Sequence, residues 1–319
     1  MRGSAQLPSI NLTELKLPSP VTQLRAPLLK EKQVQLFIKR DELIHPVLQG
    51  NKWRKLKYNL LDANIQKQQT LLSFGGAYSN HLHALAFAGQ QFGFNTIGII
   101  RGEKPSNTNP CLQDMQNWGM QLEYIKRIDY KQKTTNDFIQ RLRNQFGNFY
   151  LIPEGGNNPQ GIKGCAELLD ELDQDYDVIC SEVGSGTMLS SLITHHKKSN
   201  SQFLGFVVMK NRQLEEDIHR KVKNTQKTLN TKWTLNHDYH FGGFAKANNE
   251  LHQFILNFKT QFNIQLEPVY SGKMLYGLFD LISNDYFKPG SRILAIHGGG
   301  LQGLRGYPDF YKREKTLKY

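Results

Sequence analysis

Short apolar segments rich in β-branched and aromatic residues alternate with stretches of helical periodicity along most of this chain. Polar residues or glycines bound each apolar segment, as is typical of buried strands. The predicted strands are Val34–Ile38, Leu71–Phe74, Thr96–Ile100, Tyr150–Ile152, Val178–Cys180, Phe203–Val208 and Ile293–Ile296. Among the predicted helices are Ser79–Gln90, Gln160–Leu172, Thr187–Ile193 and Asn248–Phe262. This repeated alternation predicts an α/β fold with mainly parallel sheets.

The length of 319 residues is enough for two domains. Neither an internal repeat nor a long linker occurs, so we expect any second domain to be inserted in the first. Hydrophobic residues make up 39% of the chain and charged residues 21%, which excludes a disordered protein. We find no apolar run near the roughly 18 residues of a membrane span. The first residues contain no apolar core of a secretory signal. These features predict a cytoplasmic protein.

The chain carries 40 Lys and Arg against 28 Asp and Glu, a net charge of +12. Its basic residues are spread out, and the densest cluster lies at Lys312–Lys315 near the end. We interpret them mainly as a solvated surface, because no helix-turn-helix, zinc-finger or RNP pattern supports nucleic-acid binding. The three cysteines show no CxxC spacing and the histidines no HExxH spacing. We therefore predict neither a disulfide scaffold nor a catalytic metal.

A glycine-rich segment, Gly184-Ser185-Gly186-Thr187, follows a predicted strand and opens a predicted helix. Its glycines allow close backbone approach, its hydroxyls can donate, and a helix N-terminus attracts anions. These properties suit a phosphate monoester. An ordinary strand-to-helix turn explains the segment equally well. The Gly298-x-Gly300-x-x-Gly303 pattern is rejected as a dinucleotide site, because too little chain follows it for a βαβ unit.

Two further segments stand at predicted helix starts. Lys52 follows Gly50 and Asn51, and the positive end of a helix dipole would lower the lysine pKa and favour a nucleophilic amine. A plain basic helix start is the alternative. Ser79 precedes Asn80 and His81 and, taken alone, is interpreted as an N-cap.

Taken together and in this order, the motifs are specific. The chain resembles the D-cysteine desulfhydrase / 1-aminocyclopropane-1-carboxylate deaminase family of pyridoxal-phosphate enzymes, of the tryptophan-synthase-β-like fold (fold type II), from about residue 34 to about 304. The motifs that support the resemblance are Ile38-Lys39-Arg40-Asp41, Gly50-Asn51-Lys52-Trp53-Arg54-Lys55-Leu56, Ser79-Asn80-His81, Val183-Gly184-Ser185-Gly186-Thr187 and Pro268-Val269-Tyr270-Ser271-Gly272-Lys273.

The resemblance implies a role for each motif. Lys52 would bind pyridoxal 5′-phosphate covalently and move the α-proton of the substrate. Asn80 would hydrogen-bond the ring hydroxyl of the cofactor, and Gly184, Ser185, Gly186 and Thr187 would hold its phosphate. Ser79 and Tyr270 would lie on the substrate side.

The resemblance also implies two domains with the cofactor between them. The large domain would comprise residues 1–60 and 166–319, and the small α/β domain residues 61–165. A homodimer and a small amino-acid substrate are expected from the family.

The residue after Tyr270 separates the branches of the family. Deaminases have glutamate there against the pyridine nitrogen, whereas this chain has Ser271, as the desulfhydrases do. His81 also matches the desulfhydrases, since the deaminases tend to have glutamine. The resemblance thus favours β-elimination from D-cysteine or a related D-amino acid to pyruvate, sulfide and ammonia. The alternatives are a 1-aminocyclopropane-1-carboxylate deaminase and a basic binding protein without lyase activity.

Three residues of the implied substrate pocket depart from the family. Gly298 matches neither the threonine of the desulfhydrases nor the leucine of the deaminases. Phe244 stands where the family has an active-site tyrosine, and Tyr78 stands where glutamine usually precedes Ser-Asn. These positions make another small D-amino acid a possible substrate, while the cofactor motifs are intact.

Overall fold

A computed structural model describes residues 15–196, 201–223 and 231–308 of the chain. Met1–Ser4 and the basic cluster Lys312–Lys315 lie outside the described residues. The strands, numbered along the chain, are β1 Val21–Gln23, β2 Gln35–Lys39, β3 Thr70–Gly75, β4 Asn95–Arg101, β5 Met120–Ile125, β6 Tyr150–Leu151, β7 Val178–Val183, β8 Gln202–Val207, β9 Trp233–Asn236 and β10 Arg292–Ile296. The helices are α1 Pro27–Glu31, α2 Asn51–Ile65, α3 Asn80–Phe92, α4 Pro110–Asn117, α5 Arg127–Tyr130, α6 Asn136–Phe146, α7 Pro159–Asp170, α8 Thr187–His195, α9 Leu214–Lys223, α10 Asn249–Phe262 and α11 Ser271–Ser283. The predicted α/β fold class is confirmed.

The chain divides into two compact units, one of Lys52–Gly164 and one of Lys16–Asn51 with the chain from Cys165 onward. The first division between the units falls at Lys52, because α2 is one continuous helix, bonded to the smaller unit. Asp62 of α2 accepts a hydrogen bond from Tyr150, at 2.7 Å. Lys52 therefore belongs to the smaller unit. The predicted domains, residues 1–60 with 166–319 and residues 61–165, stay a prediction.

The larger unit is built on a six-stranded sheet of order β1-β2-β10-β7-β8-β9. Its strands are parallel except β1, which pairs with β2 in the antiparallel sense. Side chains alternate between the two faces, as a strand period of two requires. Ile293 and Ala295 pack on the face with α10 and α11, and Leu294 and Ile296 on the face with α8 and α9. Both faces are covered, as expected for a parallel sheet.

The chain reverses direction across this sheet at β7. From β7 it proceeds outward to β8 and β9, and it then returns to place β10 on the other side of β7. The carboxyl ends of β7 and β10 therefore flank a topological switch point, where open α/β sheets bind their ligands.

The smaller unit has a four-stranded parallel sheet of order β5-β4-β3-β6. Leu72 and Phe74 of β3 and Ile97 and Ile99 of β4 form its core with aromatic and leucine side chains of α5 and α6. Helix α3 begins directly after β3, so its N-terminus lies at the carboxyl edge of this sheet.

The three cysteines, Cys111, Cys165 and Cys180, are free and buried. Burial raises the pKa of the Cys180 thiol, so this side chain behaves as a small apolar group. No helix in the described part of the chain is long and apolar enough to cross a membrane.

Candidate active site

The glycine segment of the larger unit forms a turn between β7 and α8. Gly186 is the N-cap of α8 in a left-handed conformation (φ 76°), and no side chain caps the helix. A side chain at Gly186 would also meet Ile218, since a Cβ there would lie 2.8 Å from Ile218 Cγ1. The Oγ of Ser185 and the Oγ1 of Thr187 lie 2.9 Å apart. The turn therefore offers two hydroxyls beside an uncapped helix N-terminus.

Lys221 of α9 lies behind this turn. Its Nζ donates a 2.6 Å hydrogen bond to the carbonyl oxygen of Ser185. This contact fixes the backbone of the turn from α9 and adds a positive charge, which attracts an anion such as phosphate.

The residues that precede Lys52 are fixed to the end of β10 within the larger unit. The amide of Asn51 donates to the carbonyl of Gly298 at 3.3 Å. The amides of Gly300 and Leu301 both donate to Gln49 Oε1, at 3.0 and 2.9 Å. The chain therefore passes the switch point immediately before Lys52.

Tyr270 and Ser271 lie at the start of α11. The ring of Tyr270 lies beside the glycine turn, with Cε1 3.2 Å from the position of a Cβ on Gly184. Ser271 is fully buried, and its hydroxyl accepts a 3.1 Å hydrogen bond from the amide of Glu267. The structure thus places the ring of Tyr270 next to the predicted phosphate turn. Ser271 is buried in the first turn of α11.

Glu267 is a functional candidate that the sequence prediction missed. Its side chain is fully buried and accepts 2.7 Å hydrogen bonds from the amides of Val269, Tyr270 and Ser271. Burial raises the pKa of the Glu267 carboxyl, and the three amide hydrogen bonds oppose that rise. This carboxyl group thereby fixes the turn that carries Tyr270. The side chain precedes a proline, and no spacing in the sequence indicates its role.

Phe244 lies in a loop with unusual backbone geometry. Phe241, Gly242, Gly243 and Ala245 all have positive φ angles. The ring of Phe244 is 45% exposed and contacts the Tyr270 ring edge to face, with centroids 5.9 Å apart. The structure therefore brings the rings of Phe244 and Tyr270 together, and their role in a substrate pocket stays a prediction.

Lys273 holds this loop to the body of the larger unit. It is 1% exposed, and its Nζ donates to the carbonyls of Val208, His240 and Gly243 at 3.2, 2.9 and 2.8 Å. Burial lowers its pKa to about 8, while the negative charge of Glu267 opposes the shift. Lys273 ends the segment Pro268–Lys273 that supports the family resemblance, but no pattern in the sequence indicates this structural role.

Gly298 follows β10 and is buried against Glu182 of β7. A Cβ at position 298 would overlap the Glu182 carboxylate and lie 2.9 Å from Asn51 Nδ2. Glu182 itself is buried. The sequence prediction named Gly298 but missed Glu182, although that residue stands just before the glycine turn.

In the smaller unit, Ser79, Asn80 and His81 lie at the N-terminus of α3. Ser79 is the N-cap, and its Oγ accepts from the amide of Leu82 at 3.2 Å. The N-cap interpretation of Ser79 is therefore confirmed, and a catalytic role stays a prediction. Tyr78 is 42% exposed at the same edge. Lys52 lies in the first turn of α2, as the helix prediction requires.

His81 is buried beside two lysines. Its Nε2 lies 2.9 Å from Ser73 Oγ on β3. Burial, together with the positive charges of Lys55 and Lys52, lowers the His81 pKa to about 3. His81 is consequently neutral at physiological pH and acts as a hydrogen-bonding group near Lys52.

The described residues fit a pyridoxal phosphate group. The uncapped N-terminus of α8, with its two hydroxyls and the nearby Lys221, suits the phosphate. Lys52 supplies the amine that such a cofactor needs. Among the described residues, no group of three or more acidic, histidine or cysteine side chains could hold a metal ion.

A comparison with protein families supplies the deciding observation. Residues 12–299 match the family described as pyridoxal-phosphate dependent enzymes. The chain belongs to this family. The prediction of a pyridoxal-phosphate-dependent enzyme is therefore confirmed, and with it the cofactor.

Curated relatives of the chain are similar over nearly their whole length. A protein of Pyrococcus abyssi named "Putative 1-aminocyclopropane-1-carboxylate deaminase" is 29% identical over 87% of this chain and 88% of its own. A protein of Pyrococcus furiosus with the same name is 29% identical over 86% and 87%.

Solved structures agree on the fold. The chain matches a crystal structure described as an ACC deaminase homologue with a TM-score of 0.80 and 26% identity, over 94% of both chains. It matches O-ureido-L-serine synthase with a TM-score of 0.66 and 13% identity, over 93% of this chain and 94% of that one, which shows the fold alone. The predicted fold type II is confirmed.

Proposed function

We propose that this pyridoxal-phosphate-dependent enzyme eliminates the β-substituent of D-cysteine or a related small D-amino acid, releasing pyruvate and ammonia. The observation that supports this choice is the identity and bonding of Ser271. Its neutral hydroxyl is buried and bonded to Glu267, so position 271 brings no carboxylate to the cofactor. A thiolate leaves readily and does not need the stronger electron sink that a carboxylate at the pyridine nitrogen would create.

When bound, the cofactor withdraws electrons from Cα of the amino acid and so makes its α-proton acidic. In this proposal Gly184–Thr187 bind the phosphate, and Asn80 donates to the ring hydroxyl. Lys52 holds the cofactor and moves the proton at Cα. Ser79 orients the substrate carboxylate, and Tyr270 exchanges a proton with the leaving group. The neutral imidazole of His81 adds a hydrogen-bonding group to the pocket without a charge.

Tyr78, Phe244 and Gly298 complete the substrate pocket in the same proposal. The exposed ring of Phe244, which contacts Tyr270, would cover the side-chain end of the substrate. A homodimer that acts in the cytoplasm, with residues 61–165 as a small α/β domain, also belongs to this proposal.

A second candidate is the opening of 1-aminocyclopropane-1-carboxylate to 2-oxobutyrate and ammonia. The names of the relatives favour it, since two archaeal proteins that match most of the chain carry that activity in their names. The alternative of a basic binding protein without lyase activity has no comparable support.

Keto-acid release by the cofactor-loaded protein tests these candidates, with D-cysteine, L-cysteine and 1-aminocyclopropane-1-carboxylate assayed in parallel. We expect pyruvate from D-cysteine and at least ten-fold less product from the other two. Product from 1-aminocyclopropane-1-carboxylate alone would overturn the proposal in favour of the second candidate. Lys52→Ala serves as the inactive reference, and Lys57→Ala, from a partly buried lysine of the same helix, as its matched control.

A further inference from the structure

Helix α9 lies directly behind the glycine turn of the larger unit. Its two buried side chains, Leu214 and Ile218, lie against Gly186. A Cβ at position 186 would be 2.8 Å from Ile218 Cγ1 and 3.6 Å from Leu214 Cδ1. Gly186 also has a φ of 76°, so both its conformation and its contact with α9 require a glycine. The backbone of the turn is therefore packed directly on α9.

Lys221 bonds the same turn from the same helix. It follows Ile218 by three residues, so the two side chains lie on one side of α9. The Nζ of this partly buried lysine donates a 2.6 Å hydrogen bond to the carbonyl oxygen of Ser185. A hydrogen bond from a charged donor is shorter and stronger than one between neutral groups. Lys221 thus fixes the direction of the Ser185 carbonyl.

The direction of this carbonyl determines the direction of the next amide. The carbonyl of Ser185 and the N–H of Gly186 belong to one peptide unit, which is trans. A trans peptide unit is planar, so its C=O and N–H groups point in opposite directions. Because the carbonyl points toward Lys221 on α9, the N–H of Gly186 points away from α9. Gly186 is the N-cap of α8, where backbone amides and the helix dipole attract an anion.

We propose that Lys221 is a positioning residue for the cofactor phosphate, which directs the Gly186 N–H toward the anion through its hydrogen bond to Ser185. This inference rests on the proposed function only in placing the phosphate at Gly184–Thr187. Lys221 acts through the backbone of the turn, and its positive charge behind the turn adds a longer-range attraction for the phosphate. The consequence is a stronger preference for the phosphorylated cofactor over the same aldehyde without its phosphate.

The direct test measures how the cofactor-free full chain binds pyridoxal 5′-phosphate and pyridoxal, by equilibrium dialysis. The two compounds share the ring and the aldehyde and differ in the phosphate. We expect Lys221→Met to weaken the binding of pyridoxal 5′-phosphate about ten-fold and to leave the dissociation constant of pyridoxal within about two-fold. Lys223→Met, from an exposed lysine in the same last turn of α9, is the matched control and should bind both compounds normally.

The ratio of the two dissociation constants separates a positioning role from a structural one. A contact that merely holds α9 to the turn would, when lost, weaken both compounds equally. Equal weakening of both, or an unchanged ratio in Lys221→Met, would therefore overturn the proposal.

Two milder variants keep the test decisive should Lys221→Met fail to fold. Lys221→Arg keeps a charged donor, so its ratio of dissociation constants should stay close to that of the wild type. Lys221→Gln keeps a neutral donor, so its preference for the phosphorylated compound should be weaker than in Lys221→Arg. Equal preference in the two variants would contradict the role of the charged donor.

Inorganic phosphate provides a readout that does not involve the aldehyde. We expect it to slow amide hydrogen exchange across residues 184–190 of the cofactor-free wild type, because the bound anion accepts from the amides of the turn. At the same phosphate concentration Lys221→Met should show less protection. The same protection in both proteins, or none in the wild type, would overturn the proposal.

The outcomes also distinguish this inference from the proposed function. Keto-acid release together with an unchanged ratio of dissociation constants in Lys221→Met would overturn the role of Lys221 and leave the lyase proposal intact. A ratio that falls in Lys221→Met, while the wild type releases no keto acid from any amino acid assayed, would overturn the proposed function and support the role of Lys221.

Discussion

The hydroxyl of Ser271 is bonded to Glu267 on two sides, accepting from its amide at 3.1 Å and lying 3.3 Å from its carboxylate Oε1. A glutamate at position 271, as in the deaminase branch, would bring a second carboxylate next to Glu267 in a fully buried place. Two buried carboxylates in contact repel each other and cannot both ionise. The neutral residue at 271 and the buried Glu267 are therefore mutually dependent.

We predict that Ser271→Ala lowers the free energy of unfolding by about 1–2 kcal/mol, since the buried Glu267 amide loses its acceptor. Ser271→Thr keeps the hydroxyl, so its free energy of unfolding should decrease less than that of Ser271→Ala. Denaturant titration of the cofactor-free protein measures both values. Equal stability of Ser271→Ala and the wild type would contradict the importance of this contact.

The loop that carries Phe244 should depend on Lys273. Replacement by Met leaves the carbonyls of His240 and Gly243 without their buried donor, so we expect faster amide exchange across residues 240–246. Hydrogen exchange with mass spectrometry measures this directly. Lys288→Met, from an exposed lysine of the same unit, is the control, and equal exchange rates in the two variants would refute the role of Lys273.

His81 should make the protein sensitive to acid. Its pKa of about 3 in the folded state lies below the value of 6.5 for a free histidine, so the unfolded chain binds the proton more readily. The stability contributed by neutral His81 is complete above pH 6.5 and decreases as the pH falls toward 3, by about 2 kcal/mol at pH 5.

The check is urea unfolding of wild type and His81→Gln at pH 7.5 and 5. The decrease in the free energy of unfolding from pH 7.5 to pH 5 should be smaller in His81→Gln, because glutamine does not titrate. His237→Gln, which removes an exposed histidine, should behave like the wild type. The same loss in all three proteins would contradict a buried neutral His81.

Cofactor binding should depend on Thr187, whose hydroxyl lies beside that of Ser185 at the uncapped end of α8. Thr187→Val keeps the shape and removes the hydroxyl, so we expect about ten-fold weaker binding of pyridoxal phosphate. Equilibrium dialysis against the cofactor gives the dissociation constant. Thr260→Val, on the exposed side of α10, should bind normally. Unaltered affinity in Thr187→Val would contradict the binding of the cofactor phosphate at this turn.

Periodicity predicted the central strands well and the edge strands poorly. Val34–Ile38 and Ile293–Ile296 were predicted within one residue at each end of β2 and β10, because buried parallel strands are continuous apolar runs. The edge strand β6 was predicted, but the other edge strands, β1, β5 and β9, were missed. Their residues are mostly half exposed and their composition is mixed, so the apolar signal is weak. Helix α11 was missed because its first turn, Ser271-Gly272-Lys273, lacks apolar residues.

The residues of the candidate site were also predictable from the sequence only in part. The residues of the cofactor motifs are recognisable because the chemistry of a phosphate and an amine requires particular residue types in short segments. Glu182 and Gly298 contact each other across more than a hundred residues of sequence, and only the register of β7 against β10 brings them together. No local pattern indicates such a pair.

The central claim is that Lys52 holds the cofactor, and borohydride reduction of the cofactor-loaded protein tests it most directly. Reduction fixes a lysine-bound cofactor irreversibly, and peptide mass spectrometry then identifies the labelled lysine. We predict a single label on Lys52, with the yellow absorbance absent from Lys52→Ala and present in Lys57→Ala. A label on another lysine, or unchanged colour in Lys52→Ala, would contradict the assignment.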